Sequence, residues 1–351
     1  MVRKYRNILI VRTDAIGDLL LSEPVAQALK AKYPECRITY MASDYAAPVL
    51  QGNPSIDSVT EFAKSDLTMS TANVKKAVGK IKAESFDAAV VLRPTWFNAA
   101  VIYLSKIPIR VGTAYRAYSV LFNRRIVEHR SKNLRHEMMY NLSMLKPLEI
   151  SVNECCVDLM PKIYLSEQQS EKAANYLNQI GLIDIANQNL SSGKHAGGGF
   201  IIIHPGGRGS APRWQLTKFF ELTELLLERF RHRILFTGVY SEFDGGEAVK
   251  IKNFAAKWQP RIINLIGKLD LSLFMGVVSR SATVVSNSTG TAHIAAALGV
   301  PMVGIYPDNP TFSLRRWKPV GKEEKIKIAS DENIEEIPVG EVFENCVKFL
   351  N

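Results

Sequence analysis

Two aspartates four residues apart stand in the run Arg12-Thr13-Asp14-Ala15-Ile16-Gly17-Asp18, directly after the apolar stretch Asn7–Val11. In open α/β sheets, ligands bind beyond the carboxyl ends of the strands. A carboxylate at that edge can take the proton from a substrate hydroxyl. Gly17 allows a tight turn and Asp18 then begins a helix, so helix capping is the competing role for Asp18. Asp14 is the alternative base if Asp18 only caps. The G-x-G-x-x-G dinucleotide fingerprint is absent, which disfavours a nicotinamide oxidoreductase.

Two further clusters suit an anion. His204-Pro205-Gly206-Gly207-Arg208-Gly209-Ser210-Ala211-Pro212-Arg213-Trp214 follows an apolar run and leads into a helical pattern. It offers small residues, free backbone N–H groups and two arginines, the ingredients of a diphosphate site. A Walker A loop is excluded by its spacing, and a merely flexible glycine loop is the bland alternative. Ser286-Asn287-Ser288-Thr289-Gly290-Thr291-Ala292-His293 is a hydroxyl-rich turn before a small-residue helix, again presenting amides to phosphate. Alone, His293 reads as a structural histidine; beside this turn it is a ligand candidate.

Strand and helix signals alternate around these clusters. Asn7–Val11 reads as a strand buried on both faces, followed by one amphipathic helix to about Lys32. Strands are expected at Cys36–Met41, Asp87–Leu92 and from Arg110. The glycine-rich loop 187–199 precedes a second series: a strand at Phe200–His204, a helix near Thr217–Phe230 and a strand at Arg233–Thr237. A helix near Glu247–Trp258 follows, then strands at Ile262–Leu265 and Thr283–Ser286. Next come a short helix at Thr291–Leu298, a strand at Pro301–Tyr306 and a closing helix at Val339–Leu350. The alternation implies parallel sheets with right-handed crossovers. The 351 residues suit two such units, divided near 160–170.

Charge is distributed unevenly. Residues 1–150 carry 22 Lys and Arg against 13 Asp and Glu, whereas residues 151–351 carry 22 against 21. Within 110–135, Arg110, Arg116, Arg124, Arg125, Arg130, Lys132 and Arg135 face one acid, Glu128. Such a field is either a bare solvated surface or meets an anionic substrate, a phospholipid surface or nucleic acid. Nucleic acid fits least, since no recognition motif is present. No apolar run reaches the roughly 18–20 residues of a membrane span, and the basic N-terminus reads as a first strand, not a signal peptide. Cys36, Cys155, Cys156 and Cys346 have no metal-ligand spacing and read as reduced packing residues in a cytosolic protein.

In order, these motifs resemble glycosyltransferase family 9, the heptosyltransferases of lipopolysaccharide core assembly. The segments concerned are ILIVRTDAIGDLLLSEPVAQALKAKYP, HPGGRGSAPRW and SNSTGTAHIAAALGVPMVGIYP, with His136-Glu137 and Tyr140-Asn141-Leu142 as a further similarity. The resemblance implies a GT-B fold of two Rossmann-like α/β domains whose parallel sheets face a central cleft. An acceptor domain is expected over 1–165, a nucleotide-sugar domain over 166–335 and a closing helix over 336–351. It further implies inverting transfer without metal or cofactor, with Asp18 on the general-base position. Gly206, Gly207, Arg208 and Arg213 fall in the phosphate loop, and Ser288, Thr289, Gly290, Thr291 and His293 in the donor turn. Glu242 matches an acid that holds the ribose. Asp14, Arg110, Arg116, Arg124 and Arg125 would meet an anionic lipid-linked glycan at the cytoplasmic face of a bacterial inner membrane. Family members usually carry Asp where Ser288 stands, so ADP-heptose is the leading donor and other nucleotide sugars stay open. Two alternatives remain: transfer of another sugar to a different surface glycan, and a non-catalytic nucleotide-sugar-binding protein.

Overall fold

The run NILIV forms β1 (Asn7–Val11), with Ile8 to Val11 fully buried because helices cover both faces of the sheet it centres. The computed structural model describes residues 5–151, 159–182, 198–207 and 211–351. It divides into two units, Met1–Tyr164 and Leu165–Asn351. In the first unit β1 is joined by β2 (Arg37–Ser43), β3 (Ser58–Phe62), β4 (Ala88–Val91), β5 (Ile109–Thr113) and β6 (Arg124–Ile126). The sheet is parallel and ordered β3-β2-β1-β4-β5-β6. Val11 lies level with Met41 and Val91, so residues 12–18 leave the sheet at the carboxyl edge of its centre.

The single helix expected up to Lys32 is two: α1 (Ile16–Leu20) and α2 (Glu23–Lys32). Pro24, in the first turn of α2, has no N–H to continue a preceding helix, and it suits a new helix start. Helices α3 (Thr71–Ala83), α4 (Trp96–Leu104) and α5 (Glu137–Ser143) complete the unit. Ser70 and Thr95 cap α3 and α4 by accepting from Asn73 N and Asn98 N.

The second unit opens with α6 (Glu167–Gln179). Its parallel sheet is built from β7 (Gly198–His204), β8 (Arg233–Phe236), β9 (Ile262–Asn264), β10 (Ser281–Asn287), β11 (Met302–Pro307) and β12 (Ile326–Asp331), ordered β12-β11-β10-β7-β8-β9. Its helices are α7 (Leu216–Arg229), α8 (Glu247–Lys257), α9 (Leu271–Val278), α10 (Gly290–Ala297), α11 (Leu314–Trp317) and α12 (Val339–Leu350). Ile201, Ile203, Phe219, Leu222, Phe236, Val285 and Ile305 form the core with Val342 and Cys346 of α12, so the terminal helix is part of this unit. Cys36 and Cys346 are free buried thiols, while Cys155 and Cys156 lie outside the described residues. Among the described residues no helix is long and apolar enough to cross a membrane.

The sequence assigned no strand to Ser58–Phe62, Arg124–Ile126 or Ile326–Asp331. All three are sheet edges with half-exposed, mixed residues, so the continuous apolar signal of a central strand is missing.

Candidate functional site

Arg12 is the pivot of the first unit. It follows β1 and is 3% exposed, so its charge has to be met inside the fold. Nε donates to Asp14 Oδ1 at 2.7 Å, and Nη2 donates to Asp18 Oδ1. Nη1 reaches Glu137 Oε1 at 3.1 Å, Asn141 Oδ1 at 3.2 Å and the Leu92 carbonyl at 3.4 Å. Glu137 and Asn141 are the first and fifth residues of α5, one helical turn apart and hence on one face. That helix is started by His136, whose Nδ1 accepts from Met138 N. Arg130 Nη1 donates to the same two acceptors, at 2.6 Å and 3.3 Å, and Asn141 Nδ2 ties α5 to the Leu21 carbonyl at 3.1 Å. The second aspartate, Asp14, also has the Arg93 Nε 3.9 Å away, and its backbone carbonyl accepts from Tyr45 Oη at 3.0 Å.

Asp18 is the third residue of α1. The N-cap is Ala15, which is extended and makes no side-chain cap bond. The Asp18 carboxylate therefore turns to Arg12 rather than to the helix amides. Burial raises its pKa, Arg12 pulls it down, and Asp14 and Glu137 push it up again, leaving it at about 6. Burial opposes the Arg12 charge, but Asp14, Asp18 and Glu137 outweigh it and hold the guanidinium above its ordinary value. A carboxylate that titrates near neutrality and keeps 23% of its side chain accessible is suited to proton abstraction.

The basic segment 110–135 does not form one patch. Arg116 follows β5 at the carboxyl edge, whereas Arg125 is level with Gly112, Arg124 with Val111, and Arg110 with Ala89 further down the sheet. The Arg110 guanidinium serves the fold: it donates to the Leu121 and Ile107 carbonyls at 2.9 and 2.7 Å and covers the Tyr103 ring. Arg135 pairs with Glu128, and Arg130 with Glu137. Arg93, beyond β4, escaped the sequence reading; it donates to the Thr13 carbonyl at 3.0 Å while remaining part exposed.

The second unit brings the other two clusters together. His204 ends β7 with Nδ1 3.0 Å from Thr237 Oγ1 and Nε2 3.4 Å from Glu242 Oε2. Glu242 also accepts from Val239 N at 2.9 Å. At Gly206 a Cβ would lie 2.9 Å from Glu242 Oε2 and 3.0 Å from Glu242 Cβ, so the position has no room for a side chain. Gly207 packs on Arg213 and Thr289. Asn287 locks the loop to β10: its Oδ1 accepts from Trp214 N at 3.0 Å and its Nδ2 donates to the Pro205 carbonyl at 2.8 Å.

The Arg213 guanidinium is held by acids, with Asp244 Oδ2 at 2.7 Å, Glu247 Oε2 at 2.9 Å and the Glu242 carbonyl at 3.0 Å. Thr289 is the N-cap of α10 without a side-chain cap bond; its hydroxyl meets Ser286 Oγ at 2.9 Å instead. Ser288 neighbours the buried Tyr306 phenol, whose pKa burial raises. Thr291 and His293 are buried in α10, and Arg208 lies outside the described residues.

The family model for glycosyltransferase family 9 (heptosyltransferase) matches residues 74–343. A putative glycosyltransferase of Haemophilus influenzae is 26% identical over 330 residues, covering 91% of this chain and 87% of that protein. The crystal structure of the glycosyl transferase family 9 protein from Veillonella parvula superposes with a TM-score of 0.80 at 17% identity, covering 100% and 98% of the two chains. The ADP-heptose lipopolysaccharide heptosyltransferase II of Escherichia coli gives 0.76 at 21% identity and 98% of both. These likenesses show the GT-B fold. With most of its length matched by the family model, the chain belongs to glycosyltransferase family 9, the heptosyltransferase family, and is a glycosyltransferase.

Proposed function

We propose that this protein moves heptose from ADP-heptose to an acidic lipopolysaccharide inner-core acceptor, with inversion and without a metal. The observation that carries the reading is Asp18: a carboxylate at a sheet's ligand-binding edge, held by Arg12 and titrating near 6. It takes the proton of the acceptor hydroxyl as that oxygen bonds the anomeric carbon. The bond from that carbon to the diphosphate breaks on the opposite face, and the nucleoside diphosphate leaves with the electron pair. Its charge is met by the amides of Gly206 and Gly207, by Arg213 and by the Ser288–Thr291 turn with His293, which supplies electrostatic stabilisation without a metal. Glu242 faces the ribose. On the acceptor side, Arg116, Arg124 and Arg125 meet the anionic glycan, with Arg93 added from the geometry, while the protein rests peripherally on the cytoplasmic face of the inner membrane.

A second reading keeps the chemistry and changes the donor. It is favoured by Ser288, a hydroxyl where a carboxylate is usual in the family. Thermal-shift measurements against ADP-, UDP-, GDP- and CDP-sugars separate the two. A ligand at about 100 times its Kd adds roughly 2.7 kcal/mol, a readily measured shift. ADP-heptose alone should stabilise the protein, and turnover with a heptose-deficient lipopolysaccharide core should persist in EDTA. Stabilisation by another sugar nucleotide and not by ADP-heptose would replace the donor, and loss of turnover in EDTA would remove the metal-free mechanism.

A further inference from the structure

Four charges surround Asp18, and acid–base chemistry on a hydroxyl does not by itself require them: Arg12, Asp14, Glu137 and, behind Glu137, Arg130. We propose that Glu137 is a positioning residue for the transfer: it fixes Arg12, and Arg12 holds Oδ1 of Asp18 so that Oδ2 is left to receive the acceptor proton. The inference rests on Asp18 being the base.

The geometry is specific. A guanidinium is planar, with its donors in a fixed fork. Once Nε is bound by Asp14 and Nη1 by Glu137, Asn141 and the Leu92 carbonyl, Nη2 can point in only one direction, and Asp18 Oδ1 stands there. No hydrogen bond reaches Oδ2 among the described residues, and the side chain is partly open. Glu137 is 1% exposed, a costly site for a carboxylate unless its charge is used. Arg130 compensates it at 2.6 Å, which lets Glu137 oppose Arg12 while still gripping it.

The charges facing Asp18 are Arg12 and Asp14 from the loop after β1 and Glu137 from α5, with two cations behind them: Arg130 on Glu137, and Arg93 from beyond β4 through its 3.9 Å approach to Asp14. Within this set Glu137 offsets the pull of Arg12 on Asp18. Removing its charge makes Asp18 a stronger acid and so a weaker base; removing Arg12 does the reverse. A residue that merely braced the fold would lower activity without moving the ionisation of Asp18 in a defined direction.

The test follows two quantities against pH, kcat and the thermal denaturation midpoint, in wild type, Glu137→Gln, Glu137→Asp, Arg12→Lys and Asp18→Asn. Turnover is read with ADP-heptose and a heptose-deficient lipopolysaccharide core. In wild type the acid limb of kcat should have its midpoint near 6. Glu137→Gln should move that limb to lower pH by roughly threefold to tenfold in acid constant, the size expected for one nearby charge at an effective dielectric of about 20 or more. Its plateau should fall about tenfold or more. Glu137→Asp keeps the charge and should restore the limb even where kcat stays low, and Arg12→Lys should lower the plateau because the fork is lost.

Denaturation midpoints report Asp18 ionisation without substrate, through the difference between each protein and the same protein carrying Asp18→Asn. A limb and a stability difference that stay in place in Glu137→Gln would overturn the inference, as would a shift to higher pH. If Asp18→Asn turns over normally, the base assignment fails instead, and the stability difference still decides whether Glu137 sets Asp18. If Glu137→Gln does not fold, Glu137→Asp and Arg12→Lys carry the test, and full activity in both refutes it.

Discussion

Asp18→Asn should inactivate the enzyme and stabilise its fold at the same time. Asn has the same shape, and its carbonyl oxygen can still accept from Arg12 Nη2, so the guanidinium keeps its anchor. What disappears is the basic oxygen. General-base contributions of about 10² to 10⁴ in rate set the expected fall in kcat, or about 3 to 5 kcal/mol of barrier. Stability responds oppositely. The folded carboxyl titrates at about 6 against an ordinary 3.8. Between those values the native state binds more protons than the unfolded chain, so stability falls as pH rises from about 4 to 6 and is level above.

The interval, at about 1.4 kcal/mol per pH unit, amounts to about 3 kcal/mol at most. The neutral Asn side chain carries no such cost. At pH 8 the variant should therefore gain up to about 3 kcal/mol, or roughly 6–12 °C in Tm for a unit of this size, and the gain should vanish as the pH falls toward 4. Paired pH series of kcat and of calorimetric Tm measure both. Normal turnover by the variant would move the base to Asp14. A variant less stable than wild type at pH 8 would mean that the Arg12 attraction outweighs burial, and the argued pKa direction is wrong.

Three other substitutions probe the donor and acceptor sides. Arg213→Ala should weaken ADP binding about 10- to 150-fold, the loss of one charge-assisted hydrogen bond, while adenosine binding stays level in calorimetric titration; equal loss for both would mean that the loop held by Asp244 and Glu247 has collapsed. Gly206→Ala forces a methyl group against Glu242 and should cost about 1–3 kcal/mol of stability and weaken donor binding, whereas a crystal structure with Glu242 unmoved and binding intact would refute the close approach. Neutralising Arg124 and Arg125 together should raise the acceptor KM at low salt, leave donor affinity unchanged and lose its effect near 1 M salt, where screening acts over about 3 Å; an unchanged KM at low salt identifies a solvated surface.

Local pattern was enough for the strands at the centre of each sheet and for placing the three motifs at or just beyond the carboxyl ends of those strands, because a doubly covered parallel strand is an unbroken apolar run and the turn after it is where small and polar residues gather. Val339–Leu350 was legible to the residue for the same reason, since its apolar face repeats at helical spacing. Three of the four edge strands, Ser58–Phe62, Arg124–Ile126 and Ile326–Asp331, were not, for their mixed residues carry no apolar run, and the break before Glu23 is marked by Pro24 alone. Nor could the chain order alone reveal how the Asp18 carboxylate is held by Arg12. That depends on Glu137 and Asn141, more than a hundred positions away, meeting the Arg12 guanidinium once α5 packs beside the end of β1. The same holds for Gly206, whose lack of a side chain is explained only by Glu242 lying against it. Sequence names the groups that can carry charge, but their protonation and direction are set by what burial removes and by which distant charge replaces water.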